Sequence, residues 1–336
     1  MEWSEKTETV PAEEENTAVV NTAESGLQLT CSVDDMLTYA NIHNGAHIVR
    51  DICLKNVSET DLDHLLIRIS SSNELTEEFK LGIEKIKAGE ELHFKNLNVP
   101  VNAEYLAALT ERSSFRLKVG IYSGDHLLVS ETTNVTALAF DQWPGLQYTP
   151  ELLAAFAMPN HPVVTGMIQL AAGYLEKWTG DPSLAGYQFE DPNRVKSMAA
   201  SAYAAIQQKN ITYAEPPSSF ETFGQRVRLA DAVLDQHLGT CLDMTLLYVA
   251  CLEAMGLNPI MVMMKGHIFA GVWLIDGSFS DMIMDDPSQL EKRMSRGIHE
   301  MVVVECTAMC AGKSTSFDEA VALAEHNVSD YAVLLS

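Results

Sequence analysis

Hydrophobic positions change their spacing along this chain, and the changes divide it into three stretches. Residues 1–26 hold few large apolar groups and seven glutamates against one lysine. Such a segment cannot bury enough surface to offset its ordering entropy, so a disordered acidic tail is expected there. From 27 to 145, short apolar runs alternate with turn residues: LQLTCSV, AHIVRDICLKNVS, HLLIRISS, ELHFKNLNV and SFRLKVGIYSGDHLLVSETT. Positions 64–70 and 115–122 alternate with a period of two, as half-buried strands do. Ser123-Gly124-Asp125 reads as a hairpin loop, and Asn56 and Gly89 as punctuation. The stretch predicts an antiparallel β-sandwich of immunoglobulin-like size, a packing or docking module without a catalytic constellation.

From 146 to 336 the period becomes helical. Pro150 opens TPELLAAF at a position that tolerates it, Asn160 is a possible cap for the helix ending at Gly180, and Asp191-Pro192 starts another. A short helix closing at Gly239 precedes HLGTCLDMTLLYVACLEAMGL, whose apolar residues go nearly all round, as on a central buried helix. Gly256 ends that helix and Pro259 prevents its resumption. IMVMM and HIFAGVWLI, separated by Lys265-Gly266, form a hairpin signal. A polar excursion over 276–299 leads to a third strand, MVVVECT, and Ser316 with Glu319 makes a capping box for the last helix. The fold class expected is therefore α+β, with helices packed on an antiparallel sheet.

Composition narrows the functions available. The chain has 336 residues, is 47% hydrophobic, and carries a net charge of −24 from 46 acidic and 22 basic residues. That charge repels phosphate backbones and anionic lipid surfaces, so neither direct nucleic-acid binding nor membrane association is expected. The N-terminus lacks a basic region followed by an apolar one, and no apolar run is long enough to span a bilayer. The cytoplasm is the default location, where the six cysteines should be reduced. Cys306 and Cys310 have no second ligand pair after them, so their spacing is a weak zinc signal.

One cysteine stands apart. Cys241 follows Gly239-Thr240 at the first turn of the buried helix, where helix N-termini favour reactive thiols; a packed core thiol is the plain alternative. His267 opens its strand. If MVVVECT pairs antiparallel with that strand, Glu305 near its end comes within reach of the imidazole. Asp276 is too far along the chain to serve, while Asp281, Asp285 and Asp286 in the excursion remain rivals for the acid. A thiol, an imidazole and a carboxylate are what thiol nucleophilic catalysis requires. Gln225 is a candidate oxyanion donor, and Asp243 a partner for the helix dipole. Trp273 and the methionines of 261–264 read as core.

The run LGTCLDMTLLYVACLEAMGLNPIMVMMKGHIFAGVW, followed by VVVECT, resembles the transglutaminase-like superfamily over about residues 225–310. The resemblance implies a papain-like site with Cys241 as nucleophile, His267 as base and Glu305 as acid; the family has Asp where this chain has Glu305. More narrowly, AAFAMPNHP, GYQFEDPNRV and PPSSFETFGQRVRL resemble the N-terminal region of large bacterial helicase-associated proteins, although the chain has no phosphate-binding loop. The expected function is a cysteine-dependent acyl transfer, most simply by a protease or amidase acting on a protein or peptide, with a further protein partner possible through the β-sandwich. Two alternatives are a catalytically inactive interaction module of a larger bacterial system and a metal site built from Cys241, His267 and Cys306. Neither a cofactor nor a metal is otherwise implied.

Overall fold

The computed structural model describes residues 17–21, 25–295 and 297–335. Two compact units divide at Phe140/Asp141, slightly before the expected 145/146. Gln142–Trp143 explains the difference, since it pairs with Gln225–Arg226 of the second unit.

The first unit contains strands β1 (Thr17–Asn21), β2 (Leu27–Val33), β3 (Met36–Leu37), β4 (Val49–Asn56), β5 (Leu62–Ser71), β6 (Phe79–Ile86), β7 (Glu91–Leu97), β8 (Ser113–Ser123) and β9 (His126–Ala137), with short helices α1 (Tyr39–His43) and α2 (Ala103–Ala108). One sheet runs β1-β9-β8-β5-β6 with β3 alongside β9, and the other runs β2-β4-β7. All these pairings are antiparallel except β3 with β9. The period of two is the reason both sheets share a core. Leu27 and Leu29, Ile52 and Leu54, Leu65, Ile67 and Ile69, and Leu117, Val119 and Ile121 all point into one apolar cluster. Ser123 pairs with His126 across the Gly124-Asp125 turn, the hairpin read from the sequence. The tail expectation needs correcting at one place. Thr17–Asn21 is a strand paired antiparallel with β9, its Thr-Ala-Val-Val run having β propensity; residues 1–16 and 22–24 lie outside the described residues.

The second unit comprises β10 (Gln142–Trp143), helices α3 (Pro162–Thr179) and α4 (Pro192–Gln207), β11 (Thr212–Tyr213), α5 (Phe220–Phe223), β12 (Gln225–Arg226), α6 (Ala230–Gln236), β13 (Leu238–Gly239), α7 (Cys241–Ala254), β14 (Pro259–Met264), β15 (His267–Trp273), α8 (Pro287–Met294), β16 (Met301–Val304) and α9 (Phe317–Leu335). TPELLAAF is a 3-10 segment rather than an α-helix. His161, not Asn160, caps α3, its ring accepting from Val163 N–H. Helix α6 ends on His237 in the left-handed region at φ 51°, so Gly239 is released to pair in β13 beside Tyr213.

Helix α7 is the axis of this unit. Every residue from Cys241 to Leu252 is buried, as a helix apolar on all faces requires. It closes in a Schellman turn, with Gly256 at φ 74°, Gly256 N–H on Glu253 O at 2.9 Å and Leu257 N–H on Leu252 O at 3.0 Å. The sheet β14-β15-β16 is antiparallel and apolar on both faces. Ala270, Val272, Val302 and Val304 join the cluster containing α7, while Phe269, Trp273, Met301 and Val303 pack with Leu290 of α8 and with Ala324 and Val328 of α9. The mixed α+β architecture with antiparallel sheets is thus present. No helix among the described residues is long and apolar enough to cross a membrane.

Candidate active site

The N-terminus of α7 is held by more than its packing. Thr240 caps it in the box that Asp243 completes: Asp243 N–H donates to Thr240 Oγ1 at 3.3 Å, and Thr240 N–H donates to Asp243 Oδ2 at 2.9 Å. Asp243 is fully buried and also accepts from Arg228 N–H at 2.8 Å and from the Arg228 guanidinium at 3.2 Å. Burial pushes its carboxyl up, against the bonds from Thr240 and Arg228 that pull it down. Its part is structural, broader than the dipole role expected. Gln225, also buried, donates from Nε2 to Thr240 Oγ1 at 3.2 Å. Cys241 therefore sits at the first position of a helix whose start is anchored by four polar side chains, with its own N–H lacking an intrahelical acceptor.

The hairpin supplies the second group. Met264 pairs with His267 across the Lys265-Gly266 turn, which puts the histidine at the mouth of β15. Pairing of Ala270 with Val304 runs β16 back toward that mouth, and Glu305 follows. His267 Nε2 lies 2.7 Å from Glu305 Oε2. The thiol of Cys241 is also a hydrogen-bonding partner of the ring. With Nε2 engaged by Glu305, Nδ1 is the nitrogen left for the thiol. The structure brings Cys241, His267 and Glu305 together, with the acid on Nε2.

The electrostatics follow from that arrangement. Burial alone would lower His267, but the bonds with Cys241 and Glu305 and the charge of Glu305 outweigh it and raise the imidazole to about 9. Burial would raise Glu305; His267 and Thr307 overcome it and hold the carboxyl below its ordinary value. Thr307 donates to Glu305 Oε1 from its backbone N–H at 3.0 Å and its hydroxyl at 2.8 Å. Asn327 on α9 donates to Oε2 at 3.3 Å. Of the three rivals, Asp286 caps α8 by accepting from Ser288 N–H, Asp281 accepts from the Ser280 hydroxyl, and it is Glu305 that bonds His267. Cys306 turns its sulfur to Val304 O at 3.5 Å, so the Cys241–His267–Cys306 ligand set does not form.

Tyr213, like Thr307 and Asn327, is a site residue that the sequence did not point to. It pairs with Gly239 across the parallel β11–β13 bridge, and its hydroxyl hydrogen-bonds Cys241. Burial, then the neighbouring Cys241 and Glu215, push its phenol up. Lys313 lies over its ring at 5.8 Å and reaches Thr307 Oγ1 at 3.4 Å, joining the thiol's neighbour to the acid's. The only signal for Tyr213 in the sequence is an isolated aromatic before a Pro-rich loop. Cys241 itself has 0% of its surface exposed, whereas the His267 side chain has 26%. The site is closed over its sulfur and open at its histidine.

No protein-family model matches this chain, and no curated protein does. Among solved structures, a family 76 glycoside hydrolase from a bovine Bacteroides thetaiotaomicron strain matches with 13% identity over 68% of this chain and 48% of its own, at a TM-score of 0.16. The chain spans about half the length of that structure, and so slight a likeness carries no argument about fold or site.

Proposed function

We propose that this protein is a cysteine-dependent acyl-transfer enzyme, most simply a peptidase or amidase, built as an immunoglobulin-like β-sandwich followed by a transglutaminase-like domain. The juxtaposition of Cys241, His267 and Glu305 carries the reading. In the reactive pair the thiol proton has passed to His267 Nδ1. The sulfur attacks a substrate carbonyl, and the Cys241 N–H at the start of α7 receives the developing oxyanion; Gln225, whose amide has a second N–H, is the nearby candidate for a further donor. The imidazolium gives its proton to the departing amine, leaving a thioester. The neutral ring then takes a proton from water, whose oxygen attacks the thioester and releases the acid. Glu305 fixes the ring and supports its charge throughout. A protein or peptide is the proposed substrate, and the cytoplasm the proposed compartment.

Complete burial of Cys241 favours a second reading, an interaction module that kept the fold and lost the chemistry. Alkylation separates the two. Iodoacetamide at neutral pH, followed by mass spectrometry of the native protein, is expected to label Cys241 faster than Cys251 and Cys310, whose thiols burial pushes up to about 12 and about 11. His267→Ala is expected to slow that labelling with the circular dichroism unchanged. Labelling no faster than in the unfolded chain, and indifferent to His267, favours the module.

A further inference from the structure

The outward face of the three-stranded sheet in the first unit carries side chains that acyl transfer does not use. Along β4, Asp51 and Cys53 alternate with buried Ile52 and Leu54 and so point away from the core. Glu91 and His93 alternate in the same way on β7. The register sets Cys53 opposite His93, and Lys55 opposite Glu91. As a result one donor atom each from Cys53, Glu91 and His93 lies within 4.8 Å of the other two, the one such trio of Cys, His and carboxylate groups among the described residues.

Hydrogen bonding gives this trio a direction. Asp51 Oδ2 lies 2.8 Å from His93 Nδ1, which places a ring proton on Nδ1. Nε2 lies 3.3 Å from Glu91 Oε1, and the Cys53 thiol also bonds that carboxylate. Without a metal, an imidazolium donating from both nitrogens satisfies the two carboxylates; a metal ion bound at Nε2 takes the place of the proton between that nitrogen and Glu91 Oε1. Lys55 reaches the other oxygen, Oε2, at 3.3 Å, leaving Oε1 for that ion. A carboxylate behind a histidine is how proteins orient histidine ligands to metals, and here the far nitrogen faces the second carboxylate of the trio.

We propose that Cys53, His93 and Glu91 form a binding site for a zinc-class divalent ion, with Asp51 orienting His93 and a fourth position open to water. Mixed sulfur, nitrogen and oxygen donors suit zinc, whereas calcium and magnesium take oxygen ligands. Binding releases the Cys53 proton to solvent, and the sulfur donates as thiolate. The ligands come from strands that are already paired, so the site needs no rearrangement of the backbone.

The test uses the full chain, stripped with a chelator and titrated with Zn²⁺ against a chromophoric competitor, with Co²⁺ as a spectroscopic probe. One equivalent is expected to bind, and the cobalt form to show a sulfur-to-metal charge-transfer band. Cys53→Ser and His93→Gln are expected to weaken binding at least tenfold and to remove or shift that band; Asp51→Asn is expected to weaken it about 10- to 100-fold. All three residues lie on the outward face, so melting curves should show the fold retained. Cys241→Ser is the control, since the second unit also holds a thiol, an imidazole and a carboxylate, and it should leave binding unchanged. No bound equivalent in the wild type, binding indifferent to Cys53 and His93, or binding lost with Cys241 each overturns the proposal.

Discussion

His267 is bonded by Glu305 and neighboured by the Cys241 thiol, and its titration reports on both. Its folded value of about 9 lies above the ordinary 6.5, so its contribution to stability is full below about pH 6.5 and is lost as pH rises through 9. Glu305 is shifted down, so its contribution is present above the ordinary carboxylate range and is lost as pH falls through its folded value. The ion pair therefore supports the fold most strongly between the carboxylate range and about pH 6.5. Glu305→Gln removes the charge and is expected to lower the His267 midpoint by a unit or more in an NMR titration, moving the alkaline loss of stability down with it. An unchanged midpoint would mean that Glu305 does not set the charge of the ring. Tyr213 offers a second check at this scale. Tyr213→Phe removes one hydrogen bond to the thiol, and Tyr213→Ala also opens the space above it. Alkylation of Cys241 is expected to rise in the order wild type, Phe, Ala; equal rates would mean that something else covers the sulfur. Cys241, His267 and Glu305 were legible in the sequence because a helix start, a hairpin and a strand end constrain them. Tyr213, Thr307 and Asn327 were not, because each arrives through a contact that no local period encodes.

Helix α7 shows the same division one level up. Its apolar residues on every face, the Gly256 turn and the Lys265-Gly266 hairpin were readable because each is a local consequence of residue type. The polar anchor at its start was not. Asp243 reads as a dipole partner in sequence, whereas Arg228 and Thr240 converge on it in the fold. Likewise the cap of α3 falls to His161 rather than Asn160, a shift of one residue that capping preference alone does not decide. The anchor has a measurable cost when broken. Thr240→Ala removes the cap and is expected to lower unfolding stability by about 1 kcal/mol. Asp243→Ala also strands the Arg228 guanidinium and two N–H groups beside a buried site, and is expected to cost about 3–5 kcal/mol. Urea unfolding of both variants checks the ranking; equal losses would mean that the cap alone holds the helix start.

For the whole molecule, the change from period two to helical period marked where one kind of structure gives way to the other, and the boundary moved only because β10 pairs forward with β12. The strand at Thr17–Asn21 went unread because its few apolar residues gain a partner only in β9, more than a hundred positions away. The metal trio was equally hidden, since Cys53 and His93 meet only through the register of β4 and β7. Each unit carries its own apolar cluster, one built from β2 to β9 and the other around α7. A ligand that binds one folded core raises the free energy of unfolding that core, by about 2.7 kcal/mol at a hundredfold excess over its dissociation constant. Calorimetry of the full chain is therefore expected to resolve two transitions. Zn²⁺ should raise the one belonging to the first unit and leave the other in place. Alkylation of Cys241, or Asp243→Ala, should move only the one belonging to the second. A single transition that both treatments displace would show that the two cores unfold as one, and the assignment of metal binding and acyl transfer to independently stable units would fail.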